Sequence, residues 1–211
     1  MNEFFVELYS EEIPPNLQIN VRREFEERIR NSLINENIKF KKIFSYSSPT
    51  RLVIHIIGVI DKIKISSKEI KGPKVGVIED ILNNFLRSNN ASKKMLFKKK
   101  IDKGEFYFIK TLPRELLAKD MLIKILLNII SSFKWKKSMK WSNHSMIWGR
   151  PLRSILAIYN NNHLSFNFGH LRSTENAIIE KDLLVKTKKI KNFKDYENFL
   201  KQNNVFFNQK E

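Results

Sequence analysis

All three tryptophans of this 211-residue chain fall in one basic stretch. The run Lys134-Trp135-Lys136-Lys137-Ser138-Met139-Lys140-Trp141 is followed by Trp148-Gly149-Arg150-Pro151-Leu152-Arg153. Indole faces stack on unpaired bases, and lysine and arginine heads neutralise phosphates, so the two together are the chemistry of RNA contact. Lys136, Lys137, Lys140, Trp141, Arg150 and Arg153 are therefore candidate RNA-binding residues. The competing reading packs the tryptophans in the core beneath a lysine-rich loop, although lysine itself is rarely buried unpaired. Arg51 is a further candidate. It opens a strongly apolar strand after Ser48-Pro49-Thr50, where its planar guanidinium could grip a phosphate or a partner's carboxylate, or close an ion pair within the chain.

Residue types suited to catalysis are sparse. His55, His144, His163 and His170 show no metal-ligand spacing, and His55 lies in an apolar strand where a structural histidine is the simpler reading. Glu11 and Glu12 are adjacent carboxylates, but neighbouring side chains diverge and two prolines follow. A cap or turn role suits them better than general acid and base work. A pocket built from Glu11, Glu12, Arg51 and Arg150 is the one enzyme-like arrangement to weigh. The six glycines are scattered singly, without a phosphate-cradling loop. The absence of cysteine excludes disulfides, thiolate zinc sites and cysteine nucleophiles, and fits a reducing compartment. The chain is thus expected to carry no catalytic residue and no metal, and to bind no cofactor of its own.

Composition bounds the partners. The 39 Lys and Arg against 22 Asp and Glu give a formal net charge of +17, which draws polyanions by Coulomb attraction and counterion release. The chain is also rich in Lys, Asn and Ile, the residues of A/T-rich codons, so composition bias is a second source of that charge. The N-terminus, Met1 to Tyr9, carries acidic residues and lacks the basic start and apolar run of a signal peptide, and the apolar stretch Met121–Ile130 is too short to span a bilayer. A cytoplasmic protein without membrane contact is expected.

The elements that must position these residues follow from periodicity. Phe4 to Tyr9 reads as a strand stopped by Pro14 and Pro15. Leu17, Val21, Phe25, Ile29 and Leu33 repeat every four residues as one face of a helix, whose other face is charged and solvated. Strands are expected at 40–46, 50–59 and 106–109, a second helix around Ile78 to Leu86, and a mobile basic connection over 89–100. A third helix, 113–134, carries a wide apolar face suited to burial between layers or to a subunit contact. A hairpin then turns at Asn160-Asn161-Asn162, and a helix is expected at 193–201. Strand, helix, strand, strand, helix, strand is the order of a split βαβ sandwich. The predicted class is α+β, a mixed or antiparallel sheet with packed helices. Its expected regions are an N-terminal domain 1–112, a helix, basic aromatic loop and hairpin over 113–179, and a charged, partly helical tail 180–211.

Five landmarks in order carry a family resemblance. Phe5-Val6-Glu7-Leu8-Tyr9-Ser10-Glu11-Glu12-Ile13-Pro14-Pro15 resembles the opening strand and Glu-Glu-Leu-Pro-Pro turn of the beta subunit of the tetrameric bacterial glycyl-tRNA synthetase. Ser48-Pro49-Thr50-Arg51-Leu52 is similar to its Pro-x-Arg-Leu element, Lys71-Gly72-Pro73 to its Gly-Pro loop, and Lys103-Gly104-Glu105 to its Lys-Gly-Glu turn. Met139-Lys140-Trp141 and Trp148-Gly149-Arg150-Pro151 resemble its paired Met-(Arg/Lys)-Trp and Phe-x-Arg-Pro elements. Glu11, Glu12, Pro14, Pro15, Gly72, Pro73 and Pro151 are read as structural members of these motifs. Gly169-His170-Leu171-Arg172 stands in an earlier register than the family's Gly-His-Arg-Phe element, so no role is carried over to His170.

The resemblance implies that the chain corresponds to an N-terminal portion of a subunit about three times longer, with later HD-type and anticodon-binding domains. It also implies a division of labour within an alpha2beta2 assembly. The alpha subunit holds the class II active site for glycine and ATP, with Mg2+, and the beta subunit grips tRNA(Gly) and completes the assembly. A stand-alone RNA-binding or ribosome-associated module is the alternative that the charge and the aromatic cluster equally fit.

Overall fold

A computed structural model of the chain describes residues 2–101, 104–136, 138–140, 147–181 and 184–207. The class is α+β, and the chain divides into two compact units, one formed by residues 1–63 and 117–211 and the other by residues 64–116.

The larger unit is organised around β1 (Glu3–Ser10), α1 (Pro15–Asn35), β2 (Lys42–Ser48) and β3 (Arg51–Ile57). After β4 (Lys62–Ile65) the chain forms the smaller unit from β5 (Glu69–Lys74), α2 (Glu79–Ser88), β6 (Leu96–Ile101) and β7 (Gly104–Lys110). It returns through β8 (Arg114–Leu117), which pairs with β4, into α3 (Ala118–Ser132). Two short strands, β9 (Met139–Lys140) and β10 (Ile147–Trp148), precede β11 (Leu152–Tyr159) and β12 (Asn162–His163). The ribbon β13 (Asn167–Phe168) with β14 (Leu171–Arg172), the hairpin β15 (Asn176–Lys181) with β16 (Leu184–Lys189), and α4 (Phe193–Gln202) follow.

The central sheet has the order β12-β11-β1-β3-β2, and its pairings are antiparallel. β1 is therefore parallel to β2 with β3 between them, and β3 is parallel to β11 with β1 between them. This is a split βαβ arrangement, but its second half differs from the expected one. α3 and β11 complete it, whereas α2 and the 106–109 strand belong to the separate 64–116 unit. The expected boundary at residue 112 likewise differs from the observed grouping. Strand order in sequence is the same for both choices; the difference lies in which apolar strand can lie beside β1, and β11 is buried along nearly its whole length.

Pleating sends alternate residues of β1 to opposite faces. α1 packs against β2, β3 and α3 on one side, with the Phe25 and Phe133 rings 6.2 Å apart edge to face. Val21, Phe25, Ile29 and Leu33 are the buried stripe of α1, as its period predicts. Its opposite face is closed by Glu24–Arg28 and Glu26–Arg30 pairs at 2.6 and 2.7 Å. The wide face of α3 places Leu122, Ile125, Leu126, Ile129 and Ile130 in the core of its own unit. That helix begins at Ala118 rather than Pro113, because 114–117 extends to pair with β4.

The other side of the sheet is covered by β15 and by α4, which lies within the expected charged tail 180–211. Phe5, Val53, Leu156 and Ile158 pack with Ala177, Ile179, Phe193, Tyr196, Phe199 and Leu200. At about 1.5–3 kcal/mol for each fully buried large apolar side chain, α4 is an integral layer rather than an appendage. Asn192 caps it by accepting the Asp195 N–H at 2.8 Å. The turn between β11 and β12 sits at Asn160 and Asn161, both at positive φ, which suits a two-residue hairpin loop. The basic 89–100 segment, expected to be a connection, contributes β6, an edge strand whose lysines discourage further pairing.

Candidate functional site

Arg51 is not at the surface. Glu7 on β1 and Arg51 on β3 are 1% and 2% exposed, and they face the α4 side of the sheet as an ion pair. Arg51 donates to the Glu7 carboxylate and to the carbonyl of Ile178, and its guanidinium lies 4.5 Å from the centroid of the Tyr9 ring. The Tyr196 hydroxyl donates to the same carboxylate oxygen at 2.6 Å. Burial disfavours the guanidinium cation, but Glu7, by its charge and hydrogen bond, together with Tyr196 and Tyr9 holds Arg51 above its ordinary pKa. Burial first, and then Glu7, push the Tyr196 hydroxyl well up. The charges continue outward: the Tyr9 hydroxyl donates to Glu180 at 3.2 Å, and Glu180 pairs with the half-exposed Arg153. Of the roles open to Arg51, the structure realises the ion pair within the chain.

Three of the motif elements meet where β1 ends. The Ser10 N–H donates to the Thr50 carbonyl at 2.9 Å, Glu11 N–H to Pro151 at 3.0 Å, and Ile13 N–H to Pro49 at 2.6 Å. Gln18 fastens the turn by donating to the Ile13 carbonyl at 2.8 Å. Prolines supply accepting carbonyls at such a junction without adding donors that need partners. The result is a groove of about 460 Å³ walled by Pro14, Pro15 and Pro49, with Glu11, Glu12 and Arg150 at its edge. Glu11 and Glu12 are exposed and Arg150 is half-buried, donating to the Met139 sulfur at 3.2 Å. Of the four residues of the enzyme-like arrangement, three line this groove and Arg51 is inside the core. The groove presents carboxylates and a guanidinium suited to recognising a charged group.

The basic aromatic segment separates into packed rings and outward charges. Trp148 is 1% exposed. Its ring centroid is 5.0 Å from that of Trp135, and both rings meet Phe133, at 5.7 and 5.4 Å. Gly149 is required here, because a Cβ would lie 2.1 Å from the Trp135 ring. The Trp135 indole Nε1 is buried without a hydrogen-bond partner among the described residues. β9 and β10 pair Met139 with Trp148 and Lys140 with Ile147. Lys134, Lys136 and Lys140 are exposed, and Arg153 has 48% of its side chain in solvent beside Glu180. Lys137 and Trp141 lie outside the described residues. Trp135 and Trp148 thus follow the core-packing alternative, while the described lysines face water.

The participant that sequence reasoning missed is Tyr196, 189 residues from the Glu7 it bonds. Glu7 was also passed over, although a lone acid within an apolar strand, opposite a lone arginine opening another, is a usable signal. No helix among the described residues is long and apolar enough to cross a membrane.

Residues 4–211 match the family model described as glycyl-tRNA synthetase beta subunit. The chain is 35% identical over 207 residues to the glycine–tRNA ligase beta subunit of Rickettsia canadensis (strain McKiel), covering 97% of this chain and 31% of that protein. It is 35% identical to the same-named protein of Rickettsia peacockii (strain Rustic) and 33% to that of Rickettsia felis, each again over 97% of this chain and 31% of the relative. The chain therefore spans about a third of the length of these relatives.

Proposed function

Because this chain belongs to the glycyl-tRNA synthetase beta subunit family, we propose that it is the part of a glycine–tRNA ligase beta subunit that contributes tRNA binding and assembly with a catalytic alpha subunit. The holoenzyme then attaches glycine to tRNA(Gly) at the expense of ATP. ATP and Mg2+ are handled by the alpha subunit in an alpha2beta2 assembly in the cytoplasm, and this chain by itself is noncatalytic. The observation that carries the RNA half of this reading is the partition of the 134–153 segment. The Trp135 and Trp148 rings pack together, while Lys140 on the short β9-β10 ribbon and Lys134 and Lys136 in the segment before it are exposed to water, as a phosphate-contacting surface requires. Arg150 and Arg153 extend that surface, and Lys137 and Trp141 are assigned to RNA contact from the sequence alone, as a cation for a phosphate and a ring for an unpaired base. Arg51 contributes through the Glu7 pair that holds the sheet together.

Binding of labelled tRNA(Gly), measured over a series of salt concentrations, tests this. Replacing Lys136, Lys137 and Lys140 with Ala should lower affinity for most RNAs alike and flatten the log–log salt dependence by roughly 0.7–0.9 per lost phosphate contact. An unchanged slope in a folded triple variant removes this segment as the contact surface. Glycine-dependent ATP–pyrophosphate exchange should require added alpha subunit, and the chain should co-purify with that subunit. Exchange without it would overturn the noncatalytic assignment; failure to co-purify would leave a stand-alone RNA-binding module.

A further inference from the structure

The 64–116 unit has a charged aromatic face outside the segment just described. It carries 13 Lys and Arg against 6 Asp and Glu, a net +7. Its three strands have the order β5-β7-β6, and residues paired across a ladder share a face. Phe97 pairs with Phe108, and Lys99 with Phe106. Lys71 pairs with Phe108 and Lys74 with Phe106, because the register shifts between them at Gly72-Pro73. That bulge inserts one extra residue and so puts both lysines on the face that bears the phenylalanines. The same bulge serves the opposite face, where Gly72 makes room for α2: a Cβ there would come within 2.6 Å of the Phe85 ring.

Phe97 and Phe108 stack with centroids 5.8 Å apart, and the Lys71 Nζ lies 3.8 Å over the centre of Phe106. Phe97 and Phe106 are partly exposed, and Lys71, Lys74 and Lys99 are exposed. Lysine seated over an exposed ring is the arrangement that a nucleotide can exchange, the base taking the ring face and the ammonium moving to the phosphate. A duplex keeps its bases within its own stack and would leave these rings unused.

We infer that the Phe97, Phe106 and Phe108 face of β5-β7-β6 binds unpaired RNA nucleotides, with bases stacked on Phe97 and Phe106 and phosphates held by Lys71, Lys74 and Lys99. The assignment rests on the reading of this chain as a tRNA-binding subunit and adds a second contact, specific for single strands. The test uses the whole chain, a short labelled oligouridine, a blunt RNA duplex and tRNA(Gly), with thermal melts of every variant. Phe97→Leu and Phe106→Leu keep apolar packing and remove the ring. They should weaken oligouridine binding by roughly five- to a hundredfold, the loss expected for a base stack, and leave duplex binding unchanged. Lys71→Ala, Lys74→Ala and Lys99→Ala together should lower the salt slope on the single strand by roughly 2. Wild-type oligouridine affinity in folded phenylalanine variants, or a wild-type preference for the duplex, overturns the inference while tRNA binding itself stands. A chain that binds neither tRNA(Gly) nor oligouridine overturns the inference and the proposed function together.

Discussion

Removing Arg51 should behave as the loss of a buried structural charge rather than of an RNA contact. In Arg51→Met the Glu7 carboxylate stays 1% exposed and keeps the Tyr196 hydroxyl at 2.6 Å, but it loses its counter-charge. Breaking a buried ion pair from one side costs roughly 3–5 kcal/mol, a large share of the about 5–15 kcal/mol that a domain has in total. At roughly 2–4 °C per kcal/mol for a chain of this size, the melting temperature should fall by roughly 6–20 °C. Glu7→Gln retains an acceptor for Tyr196 and strands the arginine instead, so it should cost a similar amount. The double variant should lose clearly less than the sum of the two, because each single change already removes the pairing. Urea denaturation gives these stabilities, and tRNA binding is measured on the variants under conditions where they remain folded. An Arg51→Met protein within about 1 kcal/mol of wild type, with weakened RNA binding, would refute the structural assignment.

Two further outcomes follow from the packing and the charges. Trp148→Ala should cost roughly 3–5 kcal/mol by opening a cavity against Trp135 and Phe133, and Gly149→Ala roughly 1–3 kcal/mol by pressing on the Trp135 ring; unaltered urea midpoints would show that these rings are not packed. Burial pulls the Glu3 carboxyl upward, but His55 at 3.0 Å and the Phe193 N–H at 3.1 Å outweigh it and hold its pKa below the ordinary 4.5. The unfolded chain therefore takes up that proton at higher pH than the folded one. The stability from Glu3 is complete above about pH 4.5 and is lost as pH falls through the lower folded value. Glu3→Gln should flatten this acid limb; an identical limb in both proteins would remove Glu3 from the account.

Glu3 and Arg51 show how the same sheet uses its two ends. Glu3 ties β3 to the first turn of α4 through His55 and the Phe193 N–H, while the His55 and Phe193 rings stack 4.0 Å apart. Toward the other end of the same strands, the Arg51 group ties β1, β3, β15 and α4 together. The apolar cluster between them supplies the burial that makes both polar ties strong.

Local structure is legible in short stretches of the chain. The four-residue spacing of Val21, Phe25, Ile29 and Leu33 leaves a helix only one way to hide its apolar stripe, and all four are buried. Asn160 and Asn161 tolerate the positive φ of a tight hairpin, and Asn192 offers the oxygen that caps α4. These choices depend on neighbours within one turn or one ladder, so they are written in adjacent residues. Motif order carried the family for a similar reason, since landmarks keep their sequence whatever lies between them. That β11 rather than β7 lies beside β1 is a matter of long-range packing. Such packing also brought Arg51 to Glu7 across 44 residues and Tyr196 to Glu7 across 189. Apolar strands of similar length compete for a place in the sheet, and the choice falls to the pairing that covers both faces, here with α1 and α3 on one side and α4 on the other. An arginine at a strand end is chemically ready for phosphate or carboxylate. It met carboxylate because folding puts Glu7 on the same face, out of reach of water.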